Sequence, residues 1–386
     1  MKRSINTNIN KVYISELDCY DDEKVQACLV PLLENMLKDN SIDKESLSGK
    51  KVVLKPNLLA KREADAGITA HPSFVAAAGS FFVSLGAVVI IADSPGGVYN
   101  EPVLEGIYKV TGMKDAAVKS GAATNKDTGY VSVHEPDVSA LKFNIINPIN
   151  DADLVVNLAR LKTHALCEVS LAVKNMFGTI PGLQKAEQHA RFPKRADFAD
   201  MLCDLCLVTA PQINIIDGVC GMEGNGPAGG SLKKVGVVVA SANPFASDIV
   251  AAKIMGYDEN EVGTIESAVK RGLCPETIDS LELVGNDYTK YVSSFKRPDA
   301  TAGGLLKQLP HMFGGKLQKF LEPSPVVNRK KCIGCGECMR NCPVSTIKIT
   351  DKKANIEPKA CIKCYCCQEF CPVKAIKVKS NFLFRL

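Results

Sequence analysis

Cysteine spacing near the C-terminus constrains this chain more than any other feature. One run, Cys332-Ile-Gly-Cys335-Gly-Glu-Cys338-Met-Arg-Asn-Cys342-Pro-Val, is repeated twenty-nine residues on as Cys361-Ile-Lys-Cys364-Tyr-Cys366-Cys367-Gln-Glu-Phe-Cys371-Pro-Val. Iron in sulfide clusters takes soft thiolate ligands, and three sulfurs spaced along a tight loop can face one cube while backbone amides reach the sulfides. In a doubled motif the fourth cysteine of each run crosses to the other cluster. The spacing therefore assigns Cys332, Cys335, Cys338 and Cys371 to one four-iron cluster, and Cys361, Cys364, Cys367 and Cys342 to a second. Zinc is the competing reading, because paired cysteine knuckles also bind it, but zinc does not explain a proline after each fourth cysteine. Cys366 leaves the register open by one residue. The three-residue step from Cys364 and the four-residue step to Cys371 favour Cys367 as the ligand and Cys366 as a bystander.

This segment resembles the bacterial two-cluster ferredoxins over about fifty residues. It is basic: residues 328–386 hold thirteen Lys or Arg against four Asp or Glu, and the rest of the chain sums to −4. Anionic thiolate-bound clusters offset part of that excess, and the nearby Lys330, Lys331, Lys363 and Lys374 favour the reduced state. Sixteen cysteines would suggest disulfides in a secreted chain, but no apolar segment follows Lys2 and Arg3, so the sequence points to reduced thiols in the cytoplasm.

Upstream, short apolar strands alternate with helix-like segments, the punctuation of an α/β fold. Strands are expected at Val52–Leu54, Val88–Ala92, Leu154–Leu158, Ile213–Ile216 and Val235–Ala240. Their continuous apolar character predicts burial on both faces of a mostly parallel sheet with flanking helices. Phe74–Ala92 is uncharged and long enough to imitate a membrane span. It divides at Leu85-Gly86-Ala87, and a helix opened by Pro72, a tight turn and a buried strand explain it better, so no membrane span is expected. The domain plan is an α/β domain over residues 1–300, a linker over 301–327, rich in Gly and Pro, and a small α+β ferredoxin-type module over 328–386.

Polar residues collect at the expected strand ends: Lys55-Pro56-Asn57, then Asp93-Ser94-Pro95-Gly96-Gly97, then Arg160, Lys162 and His164 at alternate positions, on one face if extended. Ligands of open α/β sheets bind beyond the carboxyl ends of the strands. Lys55, Asn57, Ser94, Gly96, Gly97, Arg160 and Lys174 accordingly form a candidate anion site, with backbone N–H groups of Ser94–Gly97 as donors. Lys162, His164 and Asp217 are candidate catalytic residues. The bland alternative makes Arg160 and Lys162 a solvated strand edge and Gly96-Gly97 a plain turn. Gly224-Asn-Gly226-Pro-Ala-Gly229 matches a dinucleotide fingerprint only formally, because Pro227 and a following strand replace the required helix. The stretch from Asp217 to Gly230 reads as a flexible loop or lid in which Asp217 and Glu223 serve as acid, base or metal ligand, or as a simple hairpin. His71 and His189 also lie near these motifs, and Cys203 with Cys206 reads as core.

Together, Lys55-Pro56-Asn57, Asp93-Ser94-Pro95-Gly96, Leu161-Lys162-Thr163-His164, Val173-Lys174-Asn175-Met176 with Gly178, and Asp217-Gly218 with Gly221–Gly226 resemble the domain of unknown function 362 family over residues 10 to about 270. Members are often fused to a two-cluster ferredoxin module. The resemblance implies an iron-sulfur protein of anaerobic bacteria or archaea and supplies no reaction. Two functions follow from the sequence. One is a ferredoxin-linked oxidoreductase, with two 4Fe-4S clusters serving an anionic small molecule or an unseen cofactor in the large domain. No flavin, haem or nicotinamide motif identifies that cofactor. The other is an electron-transfer or scaffold subunit docked on a redox partner protein. Nucleic acid is not an expected partner, since the basic residues lack an aromatic stacking platform and the chain has no Trp.

Overall fold

The structure, a computed structural model, describes residues 3–300 and 323–379. The large domain runs β1 (Lys11–Glu16), α1 (Asp22–Asp39), β2 (Lys51–Pro56), α2 (Pro72–Ser84), β3 (Val88–Ile91), α3 (Glu101–Val110), α4 (Met113–Ser120), β4 (Ala123–Thr124), β5 (Tyr130–His134), β6 (Lys142–Ile146) and α5 (Asn147–Asn150). It continues through β7 (Leu154–His164), β8 (Glu168–Ser170), α6 (Ala172–Asn175), α7 (Gln184–Arg191), α8 (Arg195–Thr209), β9 (Ile213–Glu223), β10 (Ser231–Ser241), α9 (Pro244–Ile254), α10 (Gly263–Lys270) and β11 (Glu282–Gly285). The module holds β12 (Ser324–Val327), α11 (Glu337–Arg340), β13 (Ile347–Thr350), β14 (Lys353–Ile356), α12 (Cys366–Glu369) and β15 (Ile376–Lys379).

The central sheet has the order β11-β1-β10-β9-β7-β2-β3-β4, with β8 beside the end of β7. It is parallel from β9 across to β4, while β10 is antiparallel to both its neighbours. Side chains alternate between the faces of a strand, and both faces are covered: Val52 and Leu54 enter the core under α1–α4, whereas Val53 enters the core under α6 and α8–α10. That double burial is why the strands read as unbroken apolar runs. The uncharged run Phe74–Ala92 resolves as expected. His71 caps α2, Pro72 occupies its first turn, Gly86 turns the chain at φ +76°, and β3 follows. Among the described residues no helix is long and apolar enough to cross a membrane.

Chain order sets where a site can form. From β2 the chain moves outward to β3 and β4, then returns to lay β7 on the other side of β2. Such a reversal leaves a crevice at the carboxyl ends of the strands, and the module closes over it.

The stretch from Asp217 to Gly230 is not a lid. Asp217 and Glu223 both lie in β9, which pairs with β10 through Ser231↔Glu223, so the glycines at 224–230 form the connection of a long hairpin. Cys203 and Cys206 are core residues of α8. Four residues assigned to the sequence-predicted linker prove structural, since Ser324–Val327 form β12 and pair with β15 from Ser324↔Lys379 to Val327↔Ile376; residues 301–322 lie outside the described residues. The module also shares the large core, through Tyr365 and Val378.

Phe370 lies so close to Gly96 that a Cβ there would fall 1.9 Å from its ring, and Arg62 Nη2 donates to Pro372 O at 2.8 Å. Gly96→Leu is expected to lift this edge of the module. Hydrogen-exchange mass spectrometry should then show faster exchange at Cys366–Phe370 with β9 and β10 unchanged.

Candidate functional site

A cleft of about 700 Å³, counting its open mouth, lies between the strand ends and the module. Asn57 comes from the end of β2, Asp93–Gly96 from the end of β3, and Lys162 and His164 from the end of β7. Lys174 and Asn175 come from α6, Lys185 and His189 from α7, and Asn341, Cys366, Glu369 and Phe370 from the module.

Its charge is unbalanced. Lys162 Nζ donates to Asn57 Oδ1 and to Ile68 O at 2.9 Å, and Lys185 Nζ donates to Ser94 Oγ, Pro95 O and Ile180 O. None of those acceptors is charged. Lys174 lies over the Phe177 ring at 4.3 Å, with no carboxylate in contact among the described residues. Burial pushes both Lys162 and Lys185 down to about 7, and Arg160 adds to the effect at Lys162. Two carboxylates share the cleft wall, and each faces a base of the chain: Asp93 pairs with Lys55 at 2.7 Å, and Glu369 Oε1 lies 3.2 Å from His164 Nε2. His164 Nδ1 accepts the N–H groups of Leu166 and Cys167, so a neutral ring carries its proton on Nε2. Burial lowers its pKa, which agrees with that neutral form.

Lys162 is held by a chain of amides that all donate the same way. Asn57 donates to Asn175 at 3.1 Å, Asn175 to Asn157 at 2.7 Å, and Asn157 to Asn214 at 2.9 Å. Three polar atoms in the cleft wall are buried without a hydrogen-bond partner among the described residues, Asp93 Oδ1, Glu369 Oε1 and His189 Nδ1; the first two face Lys55 and His164, whereas the His189 ring stacks on Phe198 at 4.4 Å. Buried donors and acceptors are normally satisfied, so the wall has capacity for a ligand. Leu59, Phe177 and Phe370 make the rest of it apolar.

Of the residues singled out in the sequence, Asn57, Ser94, Gly96, Lys162, His164 and Lys174 line this cleft. Arg160 and Lys162 are buried in a central strand rather than on a solvated edge. Lys55 is fully buried behind the cleft, in the pair with Asp93. Gly97 is not in the wall, and the N–H groups of Ser94 and Gly96 already serve Gly178 O and Leu59 O, so side-chain ammonium groups replace the expected backbone cradle. Arg160 and Asp217 form a separate buried knot: Arg160 donates to Tyr20 OH, Thr69 O and Cys220 O, and Tyr20 OH donates to Asp217. Tyr20 stacks on His71 at 3.8 Å. Burial pushes the Asp217 carboxyl up against the pull of Arg160. Glu223 sits outside, near Lys233 and Lys296. Lys185 and Glu369 were missed. Lys185 stands in a helix of mixed polarity with no motif around it, and Glu369 looks like a spacer inside a cysteine run.

In the module the cysteines separate into two groups. Cys332, Cys335, Cys338 and Cys371 wall an apolar cavity of about 310 Å³, and Cys342, Cys361, Cys364 and Cys367 wall another of about 300 Å³. Each set surrounds a space, which suits a cube of iron and sulfide. Backbone N–H groups already reach the sulfurs, from Ala354 to Cys332, Thr346 to Cys342, Lys363 to Cys361 and Ala375 to Cys371 at 3.1–3.4 Å. The wall of the second cavity includes Cys366, which also lines the cleft.

The family profile described as "Domain of unknown function (DUF362)" matches residues 52–253, more than half of the chain. The chain belongs to the DUF362 family. A second profile, a 4Fe-4S dicluster domain, matches residues 324–372 and marks the module as an iron-sulfur electron-transfer element. Its match begins at the first residue of β12. Thylakoid-associated protein sll1697 of Synechocystis is 28% identical over 268 residues, covering 65% of this chain and 77% of that protein. Within this DUF362 protein the profile spans β2 to α9, the strands whose carboxyl ends build the cleft, so the part shared with the family is the part that carries the lysines.

Gly178 allows the Lys55–Asp93 pair to sit against the cleft, since a Cβ there would meet Asp93 Oδ1 at 2.0 Å and Lys55 Nζ at 2.7 Å. Gly178→Ala should destabilise by roughly 1–3 kcal/mol, read as a lower urea midpoint. Cys367→Ser should lose iron from one set of ligands, whereas Cys366→Ser should keep the wild-type iron content, measured by metal analysis of anaerobically purified protein.

Proposed function

We propose that this protein is a redox enzyme in which a small anionic molecule, partly apolar, binds in the cleft and exchanges electrons with the module. The observation that carries the reading is Cys366, which belongs at once to the cleft and to the cavity of Cys342, Cys361, Cys364 and Cys367. Two 4Fe-4S clusters held by the eight cysteines would supply one-electron transfer. The chain does the rest. Lys162, Lys174 and Lys185 bind the negative group, the amide chain fixes Lys162, and Leu59, Phe177 and Phe370 exclude water. Lys162, poised near neutrality, holds a proton at Nζ that can accompany an electron to the ligand.

Anion affinity should follow Lys162 and Lys185. Their pKa values are depressed in the free protein, so they are ammonium groups below about pH 7 and lose charge above it. Binding that needs both charges is strongest below pH 7 and falls as pH rises through it, by up to about tenfold per unit for each lysine. Calorimetric titration with sulfate, whose charge is constant in this range, should show that fall, and Lys162→Met should weaken binding and make the slope shallower.

The redox step is tested by reducing the anaerobic protein and offering a panel of small carboxylates and phosphorylated compounds. A substrate should restore the oxidised visible spectrum at least about 100-fold faster in wild type than in Lys162→Met. No binding of sulfate together with no reoxidation by any anion would leave the large domain a docking scaffold for a relay subunit.

A further inference from the structure

The two cysteine cavities differ in what covers them. The one beside the cleft is closed by Tyr365 and Cys366, both buried. The other, walled by Cys332, Cys335, Cys338 and Cys371, is also lined by Ile333, Pro372 and Val373, which are themselves exposed, and Cys335 is exposed as well. Ile333 is 60% accessible. Electron transfer weakens steeply with distance, so a thin apolar cover is where a second protein could approach.

Cations surround this cover. Lys331 precedes Cys332, Lys374 follows Val373, and the carbonyl of Lys352 packs on Gly334, where a Cβ would meet it at 2.4 Å. All three lysines are exposed, and none has an ion-pair partner among the described residues. Nearby acids do not cancel them: Glu337 pairs with Arg340, leaving Asp351 next to Lys352.

We propose that the face formed by Ile333, Cys335 and Val373, with Lys331, Lys352 and Lys374 around it, is the docking site of an acidic one-electron carrier protein. Charge complementarity selects the partner's sign, and the apolar centre brings its redox group over the cavity. A lipid surface would also attract lysines, but it gives no reason for a cysteine cavity to lie beneath exposed apolar side chains. In each encounter one electron leaves the carrier and one enters the module, or the reverse, with no bond made or broken. The inference does not depend on what the cleft binds.

The test uses the full chain, purified anaerobically, with a photoreduced acidic [2Fe–2S] ferredoxin as the probe. Stopped-flow bleaching should give a rate that falls with ionic strength. The triple charge reversal Lys331→Glu, Lys352→Glu, Lys374→Glu should slow it by at least about tenfold and flatten its salt dependence, and should weaken binding of the oxidised probe in calorimetry. Iron content and reduction by dithionite should match wild type. An unchanged rate and salt dependence overturns the proposal. So does an unchanged rate accompanied by lost sedimentation with phosphatidylserine vesicles, which assigns the lysines to a membrane surface. Should the triple variant lose iron, the wild-type salt dependence and Lys374→Gln decide, and a salt-independent rate counts against the proposal.

Discussion

Lys162 lies near the end of β7 inside the protein with no carboxylate against it, and much of the surrounding structure follows from that. Burying an ammonium costs several kcal/mol, and hydrogen bonds to a charged group return roughly 1.5–3 kcal/mol each. Two neutral oxygens offset part of the cost, and burial still holds the Lys162 pKa down at about 7. The sheet supplies the missing support indirectly: the aligned amides from Asn57 to Asn214 orient the acceptor that Lys162 uses, and they tie β2, β7, β9 and α6 to one another. Lys185 repeats the arrangement from the opposite wall on Ser94, Pro95 and Ile180. Under the proposed function, a ligand with negative charge would complete both sets at once. The Lys55–Asp93 pair is the contrast, since it is as deeply buried as Lys162 but neutralises itself.

The fold was legible where periodicity and burial agree. Strands such as Leu154–Leu158 and the helix opened by Pro72 are local patterns, and double burial writes itself into composition. The separation of the cysteines around two cavities was legible for a similar reason, because spacing within a tight loop is a local property. The cleft was only half legible. Asn57, Ser94, Lys162 and Lys174 sit in polar breaks at strand ends, and that signal survives in a linear reading. Whether Arg160 or Lys162 faces the cleft is decided by what closes over each. Tyr20, from the loop after β1, caps Arg160 and draws it into the knot with Asp217. Nothing in a sequence-local pattern announces a tyrosine one hundred and forty residues away.

Interdomain partners were hidden for the same reason. Glu369 occupies a spacer position in a cysteine run, and only docking of the module turns that spacer toward His164. Gly96 reads as a turn residue, yet in the folded chain its missing side chain is the space that the Phe370 ring fills. The polar strand end and the cysteine run are each interpretable separately, but the cleft exists only where they meet.

The internal repeat shows how that meeting arises. Gly334 and Gly336 adopt positive φ in the first copy, and the equivalent Lys363 and Tyr365 adopt it in the second. A non-glycine residue in this conformation costs roughly 1–2 kcal/mol, so the second copy retains two unfavourable side chains. Tyr365 is repaid by burial in the large core and by its hydroxyl bond to Pro323 O at 2.9 Å. Further along, Cys366 replaces Glu337, Glu369 replaces Arg340, and Phe370 replaces Asn341. In the first copy Glu337 and Arg340 simply pair with each other near the surface. In the second copy the residues at those positions line the cleft. The eight cysteines keep the twofold pattern of the two cavities, while the intervening residues abandon it, so the second copy turns Cys366, Glu369 and Phe370 toward the lysines, whereas the first adds Asn341 to the cleft and leaves Ile333 exposed.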